Sequence, residues 1–273
     1  MPDWEVLMTK VKNDVLCAIE VWRNLLEEIF DSRLEYAYAK GSAVKKWESP
    51  IDYVPVISDL DIHVMMTDSE VLFPKTKMGF ESAVHVSKEY EDRFRRTRDD
   101  HLHIPRSQVV HINPNLNDPS FFLPRVSEVH VMVGSPKDAK MPIAEEIRNS
   151  DYSQIQELAS YLEDLPRQTF DRVGFDFWAL LRRMNWRVSP APIRILTQYH
   201  SSPAEVWNWN RTRILKELKE KELTPIADLY QKYYDVGWEL FLSNFTDYAK
   251  FRELVVHGYA VLHGCLRAIQ NIH

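Results

Sequence analysis

The chain has 273 residues, a formal charge of −6, seven glycines and two cysteines. That length supports one large domain or two modest ones. The scarcity of glycine argues against folds built on glycine-rich phosphate loops, and neither GxGxxG nor GxxxxGK[ST] occurs. Two cysteines far apart make no disulfide framework and point to a reducing cytoplasm. Residues 1–150 hold 25 acids against 19 bases, whereas residues 151–273 hold 15 of each. An acidic N-terminal half disfavours a grip on long nucleic acid, and the arginines at 93, 95, 96 and 98 read as a solvated helix face.

The start, Met-Pro-Asp-Trp-Glu, lacks the basic segment and apolar run of a signal peptide. Residues 3–30 predict a helix, since Leu7, Val11, Val15, Ile19, Leu25 and Ile29 recur near every 3.6 positions. Leu34 to Ala39 predicts a strand that ends at Gly41-Ser42, and Ile57 to Met66 predicts a second. Between them, Pro50 and Pro55 suggest a loop insertion. Residues 81–98 predict a charged helix. Gln108–Ile112 and Val126–Val133 predict two further strands around a loop rich in Asn and Pro. Gly134 to Pro142 is the candidate linker, so the domains are expected at 1–140 and 141–273.

The second half predicts helices at 153–164, 168–186, 203–221, 225–243 and 247–270, with Pro190 and Pro192 breaking the chain. Asp151 or Ser153 is expected to cap the first of them, and Ser201 or Ser202 the third. The apolar stretch Val255–Ile269 is interrupted by two His, two Gly and an Arg, which argues against a membrane span. The expected fold class is α+β: a small mixed β-sheet domain followed by an all-α helical bundle.

On a strand, residues two apart point the same way. Asp59, Asp61 and His63 therefore share one face, and Leu60, Ile62 and Val64 the other. Alternation also groups Glu128, His130 and Met132 against Val129, Val131 and Val133, and His111 with Asn113 against Val110 and Ile112. If the three strands are neighbours, acids and imidazoles gather on one polar face. Two carboxylates about 4 Å apart repel by roughly 4 kcal/mol at an effective dielectric near 20. A shared proton or a Mg²⁺ ion would offset that repulsion.

Ala39-Lys40-Gly41-Ser42, a spacer, and Ser58-Asp59-Leu60-Asp61-Ile62-His63 together resemble the Gly-Ser…Asp-x-Asp motif of the polymerase-β-type nucleotidyltransferase superfamily. The resemblance covers roughly residues 5–135, and the 16-residue spacer between Ser42 and Asp59 is long for the family. It implies that Asp59, Asp61 and a third acid, assigned to Glu128, hold one or two Mg²⁺ ions and serve as catalytic residues. Gly41, Ser42 and Lys45 (or Lys46) would contact a nucleoside triphosphate, ATP by default. A nucleoside monophosphate would pass to an acceptor hydroxyl on a small molecule, a protein or an RNA end. The C-terminal half is similar to the helical domain of kanamycin nucleotidyltransferases and to HEPN-like bundles, and would bind the acceptor. Trp178, Trp186 and the Trp207-Asn208-Trp209-Asn210 run are candidate stacking surfaces, although Trp178, Leu181 and Asn185 fit a core role better.

Two rival readings come from other classes. A catalytically inactive relative would bind nucleotide or a partner as a regulator. Alternatively, Arg252 and His257, followed by Tyr259, are similar to the Arg-x4-His-x-Tyr signature of HEPN ribonucleases. His101 and His103, with no cysteine pair nearby, fit a loop better than a zinc site.

Overall fold

The structure, a computed structural model, describes residues 3–68, 70–118, 121–136 and 142–272. The chain forms two compact units. One comprises Met1–Lys45 with Ser58–Met141, the other Lys46–Ile57 with Pro142–His273. Small mixed sheet and helices make the class α+β, as expected.

The first unit opens with α1 (Trp4–Phe30), whose N-cap Asp3 accepts from Val6 N–H. Its buried stripe runs through Val11, Val15, Ala18, Ile19, Trp22, Leu25 and Leu26. Next come β1 (Leu34–Lys40), β2 (Leu60–Met66), α2 (Lys77–Thr97), β3 (Ser107–His111) and β4 (His130–Gly134). The four strands order as β3-β2-β1-β4. β1 is antiparallel to β2 and β4, while β2 and β3 run parallel.

Trp22 Nε1 donates to Ser107 Oγ at 2.7 Å, and Ser107 pairs with Leu60. Helix α1 therefore covers the face that carries Leu60, Ile62 and Val64, all fully buried. The other face holds a second cluster of Tyr36, Tyr38, Met65 and Ile112, against which Phe121, Leu123, Val129 and Val131 pack. The expected polar face is thus largely apolar. Only its end beside Gly41 carries the acids.

The predicted strand over 126–133 begins later than expected. Val126–Glu128 is a 3-10 turn, and the ladder starts at His130. Of the arginine cluster, Arg93 pairs with Glu28, Arg95 with Glu91, and Arg98 with the buried Asp14. The candidate linker falls partly on Lys137 and Asp138, which lie outside the described residues.

The second unit contains α3 (Ala144–Gln156), α4 (Leu158–Thr169), α5 (Phe177–Val188), α6 (Ala191–Tyr199), α7 (Pro203–Val206), α8 (Arg211–Glu220), α9 (Thr224–Leu242) and α10 (Tyr248–Gln270). Its core includes Tyr230, Tyr233, Tyr234, Trp238 and Phe251. The segment 46–57, read from the sequence as a loop insertion in the first domain, packs into this helical unit. Ile51, Tyr53, Val54 and Ile57 are buried. Helix side chains satisfy its carbonyls: Trp238 Nε1 donates to Pro50 O at 2.8 Å, Arg211 to Ile51 O at 2.8 Å and Asn185 Nδ2 to Ile57 O at 2.9 Å.

Several helix limits also differ. Asp151, expected as a cap, is buried within α3 and accepts from Thr197 Oγ1 and Trp207 Nε1. Pro192 begins α6 rather than preventing a helix, because the first turn needs no N–H from it. The expected 203–221 helix is divided by the Trp-Asn-Trp-Asn run, where Asn210 caps α8 by accepting from Arg213 N–H. Among the described residues, no helix is long and apolar enough to cross a membrane.

Candidate functional site

β1 runs out at Lys40 and turns sharply at Gly41, whose φ of +79° lies in the left-handed region. A 3-10 turn over Gly41–Ala43 follows, closed by Val44 N–H and Lys45 N–H donating to Gly41 O. Lys12 reaches up from α1 to donate to Ala43 O at 3.3 Å. Burial holds the Lys12 ammonium below its ordinary range, and the contact ties the Gly-Ser turn to the helix beneath it.

Asp61 stands directly across from Lys40 on the antiparallel neighbour. A β-carbon placed on Gly41 would lie 2.8 Å from Asp61 Oδ2. The missing side chain is therefore what lets the backbone approach this carboxylate. Asp59, one residue before β2, accepts from Arg106 Nη2 at 3.0 Å. The guanidinium comes from the residue before β3, whose carbonyl accepts from Leu60 N–H. The pair's repulsion is thus partly offset by Arg106, a third solution beside a shared proton and a metal.

That offset is incomplete for Asp61. Burial, and then the charge of Asp59, push its carboxyl above the ordinary range, while Lys40 and Arg106 pull in the opposite direction. A dication on the pair would remove this conflict. The fit to Mg²⁺ rests on those features: hard oxygen donors on one face, a raised carboxyl, and a backbone cradle that a side chain would fill.

The remaining predicted residues fall elsewhere. Glu128 is in the 3-10 turn, where its carboxylate accepts from Arg125 N–H at 3.1 Å and pairs with the Arg125 guanidinium. His130 pairs with Ala39, so it sits on the face opposite Asp61, and it is exposed. His111 pairs with Val64 and also lies on the opposite face. Among the described residues, no three His, Cys, Asp or Glu side chains come together as a metal-holding group. The position on β3 in register with Asp61 is occupied by Gln108.

His63 does share the Asp61 face. Its Nδ1 lies 2.9 Å from Tyr38 Oη. Burial, and then the Lys40 charge, push its pKa down to about 3, so it is a neutral core residue. Ser42 follows Gly41 within the turn, Lys45 lies just past it, and both are half-buried. Lys46 pairs with Glu48 at 2.9 Å in the second unit.

Lys40, Arg106, Gln108 and Lys12 were not among the expected site residues. Period-two alternation from Tyr38 places Lys40 on the Asp61 face, which is a readable signal. Arg106 and Gln108 are brought in only by the β2–β3 register, and Lys12 only by helix packing.

In the second unit, Arg252 and His257 are five positions apart on α10, about 140° around the helix. The Arg252 guanidinium lies over the Phe177 ring at 5.1 Å, and His257 Nε2 lies 3.6 Å from Glu253 Oε1. Trp209 is buried, and Trp178 packs against Phe175 and Phe245. Asn185 serves the core through Ile57 O. Only Trp186 of the candidate stacking residues presents half of its surface to solvent, at 51%.

Comparison with protein-family models, curated proteins and solved structures gives no match.

Proposed function

We propose that the first unit binds a Mg²⁺-complexed nucleoside triphosphate at Gly41, Ser42, Asp59 and Asp61 and transfers its nucleoside monophosphate to an acceptor hydroxyl. The observation that carries this reading is the close approach of Gly41 to Asp61, 2.8 Å from a β-carbon position to Oδ2. A purely structural carboxylate has no need of a bare glycine backbone beside it, whereas a triphosphate approaching that carboxylate does.

Each residue has a role in this reading. Asp59 and Asp61 would hold one Mg²⁺. When bound, the ion supplies charge neutralisation to the phosphate oxygens. Arg106 orients Asp59 at 3.0 Å. Lys40 adds positive charge near Asp61. Backbone and hydroxyl groups of the Gly41–Ala43 turn face the phosphates, and Lys45 supplies a further positive charge at its end. The acceptor oxygen attacks the α-phosphorus, the bond to the bridging oxygen breaks, and pyrophosphate leaves. Gln108 takes no proton, and Glu128 is engaged by Arg125. In this reading the acceptor's proton passes to water.

One observation favours a second reading. With Gln108 in register with Asp61, the pair has no third carboxylate from β3. A protein that binds Mg²⁺-nucleotide as a regulator, without transfer, fits that arrangement equally well. Calorimetric titration of ATP, GTP, CTP and UTP, with and without Mg²⁺, separates these readings from the rest. Mg²⁺-dependent binding that disappears in Asp59→Ala/Asp61→Ala supports a nucleotide site. No binding to the folded wild type sinks both readings. Pyrophosphate release with a panel of acceptors then distinguishes transferase from regulator.

A further inference from the structure

The sheet of the first unit ends at β3. Leu60 N–H donates to Arg106 O, and Ile112 N–H donates to Val64 O. The even-numbered residues here therefore bond to β2, and the N–H and C=O groups of Ser107, Val109 and His111 point away from it. Those outward groups find no partner among the described residues. Sheet edges are commonly protected by charged side chains, proline or a bulge. β3 reads Ser-Gln-Val-Val-His and its register with β2 is unbroken, so it carries none of these devices.

Beside this edge lies a groove of about 620 Å³, walled by Ala83 and Val86 of α2, Trp22 and Leu26 of α1, and Val109 of β3. Polar groups along it are already engaged. Tyr90 Oη donates to Pro105 O at 2.7 Å, and Ser107 Oγ accepts from Trp22 Nε1. The groove therefore suits apolar side chains. Helix α2 continues its wall outward: Phe80 and Val84, one turn apart, leave 69% and 53% of their surface exposed. Of this 21-residue helix only Gly79, Tyr90 and Phe94 are buried. An open ladder and an uncovered apolar helix face thus lie side by side, which calls for an extended strand that brings apolar side chains with it.

Charge and register identify that strand. α2 carries five Lys or Arg against four Asp or Glu, and β3 has no acid, lysine or arginine. A second copy of the same surface meets no net repulsion there, although the whole chain carries −6. β3 is also complementary to itself. Antiparallel pairing centred on Val109 sets Val109 against Val109 and Ser107 against His111, so that each outward residue can exchange both of its bonds. We propose that the chain forms a two-fold dimer in which the β3 strands of two copies pair antiparallel into one continuous sheet, with Phe80 and Val84 of each α2 closing over the groove beside it. This surface belongs to the first unit alone and stands independently of the nucleotide reading.

Sedimentation equilibrium of the full chain, from about 1 to about 100 µM, tests this directly. A monomer–dimer equilibrium that moves to the dimer across that range is expected. Val109→Pro removes one outward N–H and no bond to β2, and proline is tolerated on an edge strand. It should raise the dimer's dissociation constant about tenfold or more. Phe80→Ser, at a largely exposed position, should raise it severalfold with circular dichroism unchanged, and it decides alone if Val109→Pro does not fold. A chain that stays monomeric at the highest concentration overturns the proposal. So does a dimer whose dissociation constant is the same in Phe80→Ser as in the wild type.

Discussion

Gly41 and Asp61 meet across the β1–β2 ladder so closely that no β-carbon fits between them: the nearest carboxylate oxygen would be 2.8 Å away. Two penalties follow for Gly41→Ala. Residue 41 has a φ of +79°, which costs an L side chain about 1–2 kcal/mol. The new methyl also displaces Asp61. Mg²⁺-dependent triphosphate binding is expected to fall by about tenfold or more, with only a modest loss in thermal stability. Wild-type affinity in Gly41→Ala, measured by calorimetry, would remove the approach from the site.

Asp61 predicts a trade between stability and binding. Its carboxyl is raised by burial and by Asp59, so its ionised form destabilises the fold at neutral pH. Asp61→Asn removes that charge and should stabilise the protein by on the order of 1–2 kcal/mol, since one pKa unit corresponds to about 1.4 kcal/mol. The same substitution should abolish Mg²⁺-dependent nucleotide binding. Urea titration at pH 7 measures the first effect. A less stable Asp61→Asn protein would mean that the carboxylate serves the fold rather than a ligand.

Much of this site was legible because its signals are local. Gly41-Ser42 follows a strand directly, and Asp59 and Asp61 alternate with Leu60 and Ile62 within one. Glu128 was misplaced for a different reason. Alternation groups Val129 with Val131, but it does not say which side of the sheet they face. Pairing decides that, and the register of β1 with β4 shifts between Ala37 and Tyr38. The valines therefore join Tyr38 on the Asp61 side, and His130 turns away. Arg106 and Gln108 depend likewise on which strand lies beside β2, a long-range property. The same limit explains residues 46–57: two prolines suggested a loop, while the buried Ile51, Val54 and Ile57 acquire meaning only through the helices they meet.

Asp52 anchors that segment. Its buried carboxylate accepts from Glu48 N–H at 2.7 Å, Ser49 N–H at 3.0 Å, Thr212 N–H at 2.8 Å and Thr212 Oγ1 at 2.8 Å. Asp52→Ala leaves several buried donors unmatched and should cost about 2–4 kcal/mol. Chemical denaturation followed by helical circular dichroism reads this directly. Loss of less than about 0.5 kcal/mol would show that the segment is not integral to the second unit.

His63 and Asp61 should bend the pH dependence of stability in opposite directions. His63 titrates in the fold near 3, pushed down by burial and then by Lys40, against about 6.5 in an unfolded chain. Between those values the unfolded state binds the proton that the fold refuses. Stability from neutral His63 is therefore complete above about pH 6.5 and is lost progressively as pH falls towards 3. Asp61 has a raised folded pKa, so the fold binds the extra proton, and its penalty is relieved as pH falls through that raised value. Denaturation between about pH 8 and pH 4 separates the two. In His63→Gln, which retains a polar partner for Tyr38 Oη, the acid loss should flatten. In Asp61→Asn it should steepen, because the compensating gain has gone. Parallel profiles for His63→Gln and wild type would mean that the imidazole titrates freely and is not buried beneath Phe121 and Tyr38.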